Sequence, residues 1–256
     1  MPSGLEITGL GDESRCMECH QGRHSTISVT EAISQAGVTD DEVSEDLGFV
    51  NIHYYPAAAT KYGTLAKGGY EYDGKTYDAF FAHVDGFETC IGCHNPHTLE
   101  LQVEACQECH AGVTSAEDFK DVRMAGSLVD YDGDGDMEEG VFYELEGLRE
   151  ILYQAMQNYA AEVAGTPIVY DVASYPYWFT DEEEGYNAWT PRLLKAAYNY
   201  QMATKDPGAY AHGGKYIIQL LYDSIEDLDE AMVEGLRRID HGYFAGSEEA
   251  FRHWDE

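Results

Sequence analysis

The chain has 256 residues and a formal net charge of −33, from 48 acidic and 15 basic side chains. This length allows one large domain or two small ones with a buried core. The charge excludes electrostatic binding to nucleic acid or anionic lipid and favours cations or basic partners. Because no run of 18 apolar residues occurs, we expect no membrane span.

All six cysteines lie in three pentapeptides of the form Cys-x-x-Cys-His, each of which is the attachment signature of c-type haem. In this signature two thiols form thioethers to one porphyrin, and the adjacent imidazole binds the iron on its proximal side. The sequence therefore predicts three haem c groups. The attachment residues are Cys16, Cys19, Cys90, Cys93, Cys106 and Cys109, and the proximal ligands are His20, His94 and His110.

Zinc and disulfides are the alternative uses of these cysteines. Paired Cys-x-x-Cys units can hold Zn²⁺, and an extracytoplasmic chain can form disulfides. Neither alternative explains a histidine directly after every second cysteine, so the pattern favours haem.

Seven further histidines are available as sixth ligands, which makes bis-histidine coordination of all three irons possible. We expect His53, His83 and His97 to be distal ligands. His97 follows a proximal ligand by three residues and is expected to reach a neighbouring haem. His212 and His24 are the further candidates for distal ligands, and His212 is also a candidate ligand for a haem of an adjacent subunit. His241 and His253 are expected to be exposed to solvent.

Residues 1–125 contain every cysteine and lack long periodic segments, so they predict a lobe of loops and short helices wrapped around the haems. Within this lobe, residues 70–77 alternate aromatic and polar side chains around Asp73-Gly74. That pattern predicts a short β-hairpin with a two-residue turn.

Residues 126–256 predict a cysteine-free helical lobe that opens with an acidic loop. Carboxylates at alternate positions, with glycines between them, suit Ca²⁺ and match the first seven positions of an EF-hand loop. Position twelve is Val141, so Glu139 is the expected further ligand, with Glu138 or Glu144 as alternatives. A solvated turn that caps the next helix is the other interpretation. The calcium candidates are Asp130, Asp132, Asp134, Asp136 and Glu139.

Three helices are predicted in this lobe. Apolar residues at a 3.6-residue period predict the first over 137–163. Thr190-Pro191 marks the start of the second, which ends at 205–208. Residues 176–185, before it, are expected to form a surface loop with an aromatic anchor. The apolar face of the third helix comprises Leu221, Ile225, Leu228, Met232 and Leu236. The predicted fold class is mainly α with extensive irregular structure, both lobes forming one compact body.

Several segments carry a resemblance to a known family: residues 51–54, 68–72, 90–99, 189–195 and 220–224. With the three pentads, they make the chain similar to small multihaem c-type cytochromes of the extracellular electron-transfer type, some of which polymerise into conductive filaments. The resemblance implies electron transfer, bis-histidine haems and an extracytoplasmic location. It leaves filament formation open.

Electron carriage without catalysis is the leading hypothesis, with other cytochromes, extracellular acceptors or copies in a homopolymer as partners. The alternatives are a monomeric periplasmic shuttle, a multihaem oxyanion reductase with one open haem, and a zinc-binding structural module. The absence of a Cys-x-x-Cys-Lys variant and the small number of basic residues disfavour the reductase. Because haem attachment takes place outside the cytoplasm, we expect an extracellular or cell-surface location. No signal peptide is visible, so we expect a mature or trimmed chain.

Overall fold

A computed structural model describes residues 1–123 and 127–239 of the protein. The α-helices in these ranges are α1 Ser14–Cys19, α2 Thr26–Ala36, α3 Ala57–Ala66, α4 Cys90–Cys93, α5 Val103–Cys106, α6 Val141–Glu162, α7 Pro191–Lys205 and α8 Ala209–Leu228. Short 3₁₀ helices lie at Gly11–Glu13, Glu117–Asp121 and Glu230–Val233. The prediction of a mainly helical protein with much irregular structure is confirmed.

The core lies where α6, α7 and α8 pack against one another, and α3 packs on α8. Its side chains are mainly aliphatic and aromatic, and Leu148, Leu193, Tyr198 and Ile218 are completely buried. Thr190 caps α7 by accepting a hydrogen bond from the backbone N–H of Leu193 at 3.1 Å, with proline at the first helical position as predicted.

The bounds of two predicted helices differ from the structure. The first begins at Val141 rather than at residue 137, because the preceding residues belong to the turns of the acidic loop. The third ends at Leu228, and Met232 lies in the separate 3₁₀ helix that follows. The side chain of Asp229 accepts from the N–H of Ala231 and so starts that new turn.

The predicted hairpin at 70–77 is wrong in its strands, although its turn forms. The N–H of Lys75 donates to the carbonyl of Tyr72 at 3.2 Å, and Gly74 has a φ of 79°, as the Asp-Gly turn requires. The flanking residues do not pair as strands. The two strands of the described residues are instead β1 Val169–Tyr170 and β2 Trp178–Phe179, which are antiparallel. The segment expected to be a surface loop therefore contains a strand, in which Trp178 is buried.

Tertiary hydrogen bonds explain why the strands at 70–77 do not form. The N–H of Tyr70 donates to Asn199 Oδ1 at 2.6 Å, and the N–H of Asp78 donates to Gln219 Oε1 at 2.7 Å. Earlier in the chain, the N–H of Ile52 donates to Gln201 Oε1 at 2.8 Å. Buried backbone donors need partners, and here side chains of α7 and α8 supply them. These bonds fix the irregular segment 51–78 to the helices.

The proposed boundary between the lobes, at residues 125 and 126, lies outside the described residues, as do His241 and His253. Within the described ranges, no helix has both the length and the apolar character needed to cross a bilayer.

Candidate haem centres

Each pentapeptide closes one backbone turn: the first two cysteine pairs lie in α1 and α4, and the third pentapeptide forms a turn directly after α5. Residues three and four apart lie on the same face of a helix, so each turn presents two thiols and one imidazole on one side. The N–H of the histidine donates to the carbonyl of the first cysteine in every case. The three distances are 3.0 Å for His20 to Cys16, 2.8 Å for His94 to Cys90 and 2.9 Å for His110 to Cys106.

The cysteines are free thiols, and none pairs in a disulfide. Burial raises the pKa of Cys90 to about 12, and the nearby Glu13 carboxylate adds to the effect. Burial also raises the pKa of Cys93 and Cys106. Among the described residues, the clusters of three or more possible metal ligands contain only carboxylates. The arrangement therefore does not favour the zinc alternative.

Two proximal histidines are oriented by backbone carbonyls. His20 Nδ1 lies 2.8 Å from the carbonyl oxygen of Tyr55, and His94 Nδ1 lies 3.1 Å from that of Leu99. A carbonyl can only accept, so Nδ1 carries the proton and donates, which leaves Nε2 free. Histidines that bind metals usually donate their other N–H to a carbonyl or carboxylate in this way.

Two pairs of imidazoles lie close together, at a ring spacing that suits a shared metal. The ring centroids of His83 and His110 are 6.0 Å apart, and those of His94 and His212 are 6.4 Å apart. Two imidazoles bound to one metal from opposite sides, with bonds of about 2 Å, have centroids about 6 Å apart. The residues present therefore fit bis-histidine haem at two of the three pentads.

His83 has the properties of a neutral ligand. Burial lowers its pKa, and the neighbouring His110 and Lys61 lower it further. Its Nδ1 is buried and has no hydrogen-bond partner among the residues that the structure describes. A neutral imidazole has one nitrogen without a proton, which is the form that binds a metal.

His212 is held by a buried carboxylate. Its Nδ1 lies 2.8 and 3.1 Å from the two oxygens of Asp206, whose side chain is 1% exposed. Burial alone would lower the pKa of His212, but Asp206 outweighs it and the pKa is raised. The ring lies against Gly208, where an added Cβ would be 2.6 Å from Cε1 of His212.

The surroundings of the first pentad differ from those of the other two. Tyr55 stacks on His20, with centroids 6.5 Å apart. His53 and His24 are neighbours: burial lowers the pKa of His24, and His53 lowers it further. His97 is exposed, its N–H donates to Asn95 Oδ1 at 2.9 Å, and no ring contact between described residues includes it. Thus the structure brings His83 and His212 to proximal histidines, but not His53 or His97.

The sequence ranked His97 above His212 because His97 is close to a pentad along the chain. The signal that could have favoured His212 is the aspartate six residues before it, a carboxylate able to hold Nδ1. His212 lies in the first turn of α8, before Gly213, where the helix is interrupted.

The acidic loop brings two overlapping groups of carboxylates together. The ligand atoms of Asp132, Asp134 and Glu139 lie within 4.8 Å of one another, as do those of Asp130, Asp132 and Glu144. Burial raises the pKa of Asp132 to about 6 and that of Glu139 to about 7, and neighbouring carboxylates add to both shifts.

The loop is also stabilised by its own hydrogen bonds. Asp130 accepts from the N–H groups of Gly133 and Gly135, and Asp136 accepts from those of Glu138 and Glu139. Glu144 has a structural partner, because it forms a buried ion pair with Arg123 at 2.7 Å. Position twelve, Val141, is buried at the start of α6.

The chain is similar to curated c-type polyhaem cytochromes. It is 28% identical over 271 residues to C-type polyheme cytochrome OmcB of Geobacter sulfurreducens, in strains DL-1/KN400 and PCA. The alignment covers 87% of this chain and 32% of the relative. It is 27% identical over 277 residues to C-type polyheme cytochrome OmcC of strain PCA, which covers 88% of this chain and 31% of the relative.

The chain thus spans about a third of the length of these relatives. No protein-family profile matches it, and no solved structure matches it significantly. The resemblance to multihaem c-type cytochromes drawn from the pentads is confirmed.

Proposed function

We propose that the protein carries electrons between redox partners outside the cytoplasm through three covalently bound haem c groups. The observation that carries the proposal is that two proximal histidines, His94 and His110, each lie beside a second imidazole at the ring spacing of one shared metal. Each pentad closes a backbone turn in which the N–H of the histidine donates to the carbonyl of the first cysteine, and the similarity to polyhaem cytochromes gives independent support.

Cys16, Cys19, Cys90, Cys93, Cys106 and Cys109 would hold the porphyrins, with His20, His94 and His110 as proximal ligands. His83 is proposed as the distal partner of His110, and His212 as that of His94. When bound, haem c supplies a one-electron iron couple, and two imidazole ligands leave no position for a substrate. The protein is therefore proposed to act without catalysis.

The sixth ligand at His20 is proposed to come from His53, with His24 as the alternative. The chain after His53 contacts the first pentad, because the N–H of Ala58 donates to the carbonyl of His20 at 3.0 Å. The N–H of His53 itself donates at 3.0 Å to the carbonyl of Gly22, which lies between His20 and His24 in the chain. His97 is exposed and is proposed as a ligand for a haem of another copy of the chain.

A homopolymer for long-range extracellular transfer is the extended form of this proposal, and a monomeric periplasmic shuttle is the simple form. A charge of −33 opposes association of copies unless cations lie between them. Electron microscopy of the native protein, with and without divalent cations, separates the two forms. Filaments would support the polymer, and dispersed particles under both conditions would contradict it.

Calcium in the acidic loop is proposed as a structural cofactor, bound by Asp130, Asp132, Asp134, Asp136 and Glu139. The two carboxylate clusters, which contain all of these side chains except Asp136, and the half-buried Glu139 support it. Addition of Ca²⁺ to chelator-treated protein should raise the melting temperature, and the rise should be lost in D134N. An equal rise in wild type and variant would contradict the site.

Intact-mass analysis and visible spectroscopy test the main proposal. We expect the mass of the polypeptide plus three haems, low-spin spectra in both redox states, and no Soret shift on addition of nitrite. A bare polypeptide would refute the haem assignment. A high-spin iron that binds nitrite would favour the oxyanion reductase instead.

A further inference from the structure

Asp206 is a buried carboxylate whose oxygens contact the imidazole of His212. Its side chain is 1% exposed, and both of its oxygens lie near Nδ1 of His212, at 2.8 and 3.1 Å. It also accepts a weaker hydrogen bond from the N–H of Gly208 at 3.3 Å. A carboxylate accepts and cannot donate when ionised, so His212 holds its proton on Nδ1 and turns Nε2 away from Asp206.

The fold fixes this pair from two sides. Asp206 ends α7, and the N–H of Ala209 at the start of α8 donates to its backbone carbonyl at 3.0 Å. The ring of His212 lies directly against Gly208, with no room for a side chain between them. The ring of His94 then lies 6.4 Å from that of His212.

We infer that Asp206 is a positioning residue that sets the redox potential of the second haem through His212. This inference rests on the proposed function, because it requires haem at Cys90–His94. A carboxylate that accepts Nδ1–H raises the basicity of the other ring nitrogen. A more basic ligand favours the ferric state, which carries the greater positive charge, and so lowers the potential of that haem.

The other imidazole pair lacks this feature, which makes the effect specific to one haem. His83 Nδ1 has no hydrogen-bond partner among the described residues, whereas Nδ1 of His212 lies 2.8 Å from a buried carboxylate oxygen. The second haem should therefore have a lower potential than the third. Reduction adds one electron to the iron, and the Nδ1 proton stays on His212 in both states.

The test is a spectroelectrochemical titration of the three-haem protein in the wild type and in Asp206→Asn. Asparagine keeps the volume and removes the charge. We expect one of the three midpoint potentials to rise by about 59 mV or more, the equivalent of a tenfold change for one electron. Glu71→Gln is the matched control, because Glu71 is a half-buried carboxylate that bonds to the hydroxyls of Tyr216 and Thr64. It should leave all three potentials unchanged.

His212→Met identifies the haem concerned. It should raise the same potential further, because a Met/His pair has a higher potential than bis-histidine, and Asp206→Asn should then add nothing. Three unchanged potentials in Asp206→Asn, or an equal shift in Glu71→Gln, would overturn the inference. If Asp206→Asn does not fold, NMR of the native protein follows the Nδ1 proton of His212, and rapid exchange with solvent would overturn it too. A native mass without three haems would refute the proposed function instead.

Discussion

Replacement of Glu144 by glutamine tests how α6 holds the acidic loop. Glu144 accepts from Arg123 Nη1 at 2.7 Å and from the N–H groups of Tyr131 and Asp132 at 2.7 and 3.1 Å. Glutamine keeps the volume but has one acceptor oxygen instead of two. Whichever way the amide is turned, its NH₂ group therefore points at N–H groups, which are donors themselves and cannot accept a hydrogen bond.

The expected loss in free energy of unfolding follows from the burial of the Glu144–Arg123 ion pair. The side chains of Glu144 and Arg123 are 1% and 12% exposed. Removal of one partner from a buried ion pair costs about 3–5 kcal/mol, because the other charge is left uncompensated. Arg123 keeps three backbone carbonyls as acceptors, those of Ser127, Val129 and Glu139. We therefore expect a loss of about 3 kcal/mol, at the lower end of that range.

Urea unfolding in the presence of EDTA measures this loss without a contribution from calcium. Glu146→Gln is the control on the same helix, because Glu146 pairs with Arg149 at 2.5 Å while both side chains remain partly exposed, at 36% and 25%. An exposed pair of this spacing contributes about 0.5 kcal/mol or less. A loss below about 1 kcal/mol in Glu144→Gln, or equal losses in the two variants, would refute the reasoning.

Three further predictions concern α7 and the distal ligand. Thr190→Ala should cost about 1 kcal/mol in urea unfolding, since α7 loses its cap, and a change in free energy near zero would contradict this. The hydrogen bond from Arg192 lowers the pKa of Asp41, so the ionised Asp41 stabilises the folded protein above about pH 4, and this stabilisation is lost as pH falls. In Asp41→Asn the free energy of unfolding should therefore fall less steeply with decreasing pH. Replacement of the exposed Asp46 by asparagine should leave that slope unchanged. Gly208→Ala should displace the ring of His212 and increase the high-spin signal in visible spectra. Gly185→Ala, whose Cβ would make only an ordinary 3.6 Å contact, should give the native spectrum.

The sequence determined the features that depend on neighbours along the chain. The spacing within each pentad places two thiols and an imidazole on one helical turn, and Thr190-Pro191 starts α7 because cap and proline act within a few residues. The Asp73-Gly74 turn also forms as its residues predict. All of these follow from local backbone geometry.

Only the tertiary structure decided which distant groups meet. His94 faces His212 because the start of α8 packs beside the second pentad, whereas His97, close in sequence, remains exposed. The strands at 70–77 fail to form because Asn199 and Gln219, on distant helices, accept from the backbone N–H groups at either end of this segment. A buried donor bonds to whichever acceptor the packed helices bring to it, and the spacing of residues along the chain does not contain that information.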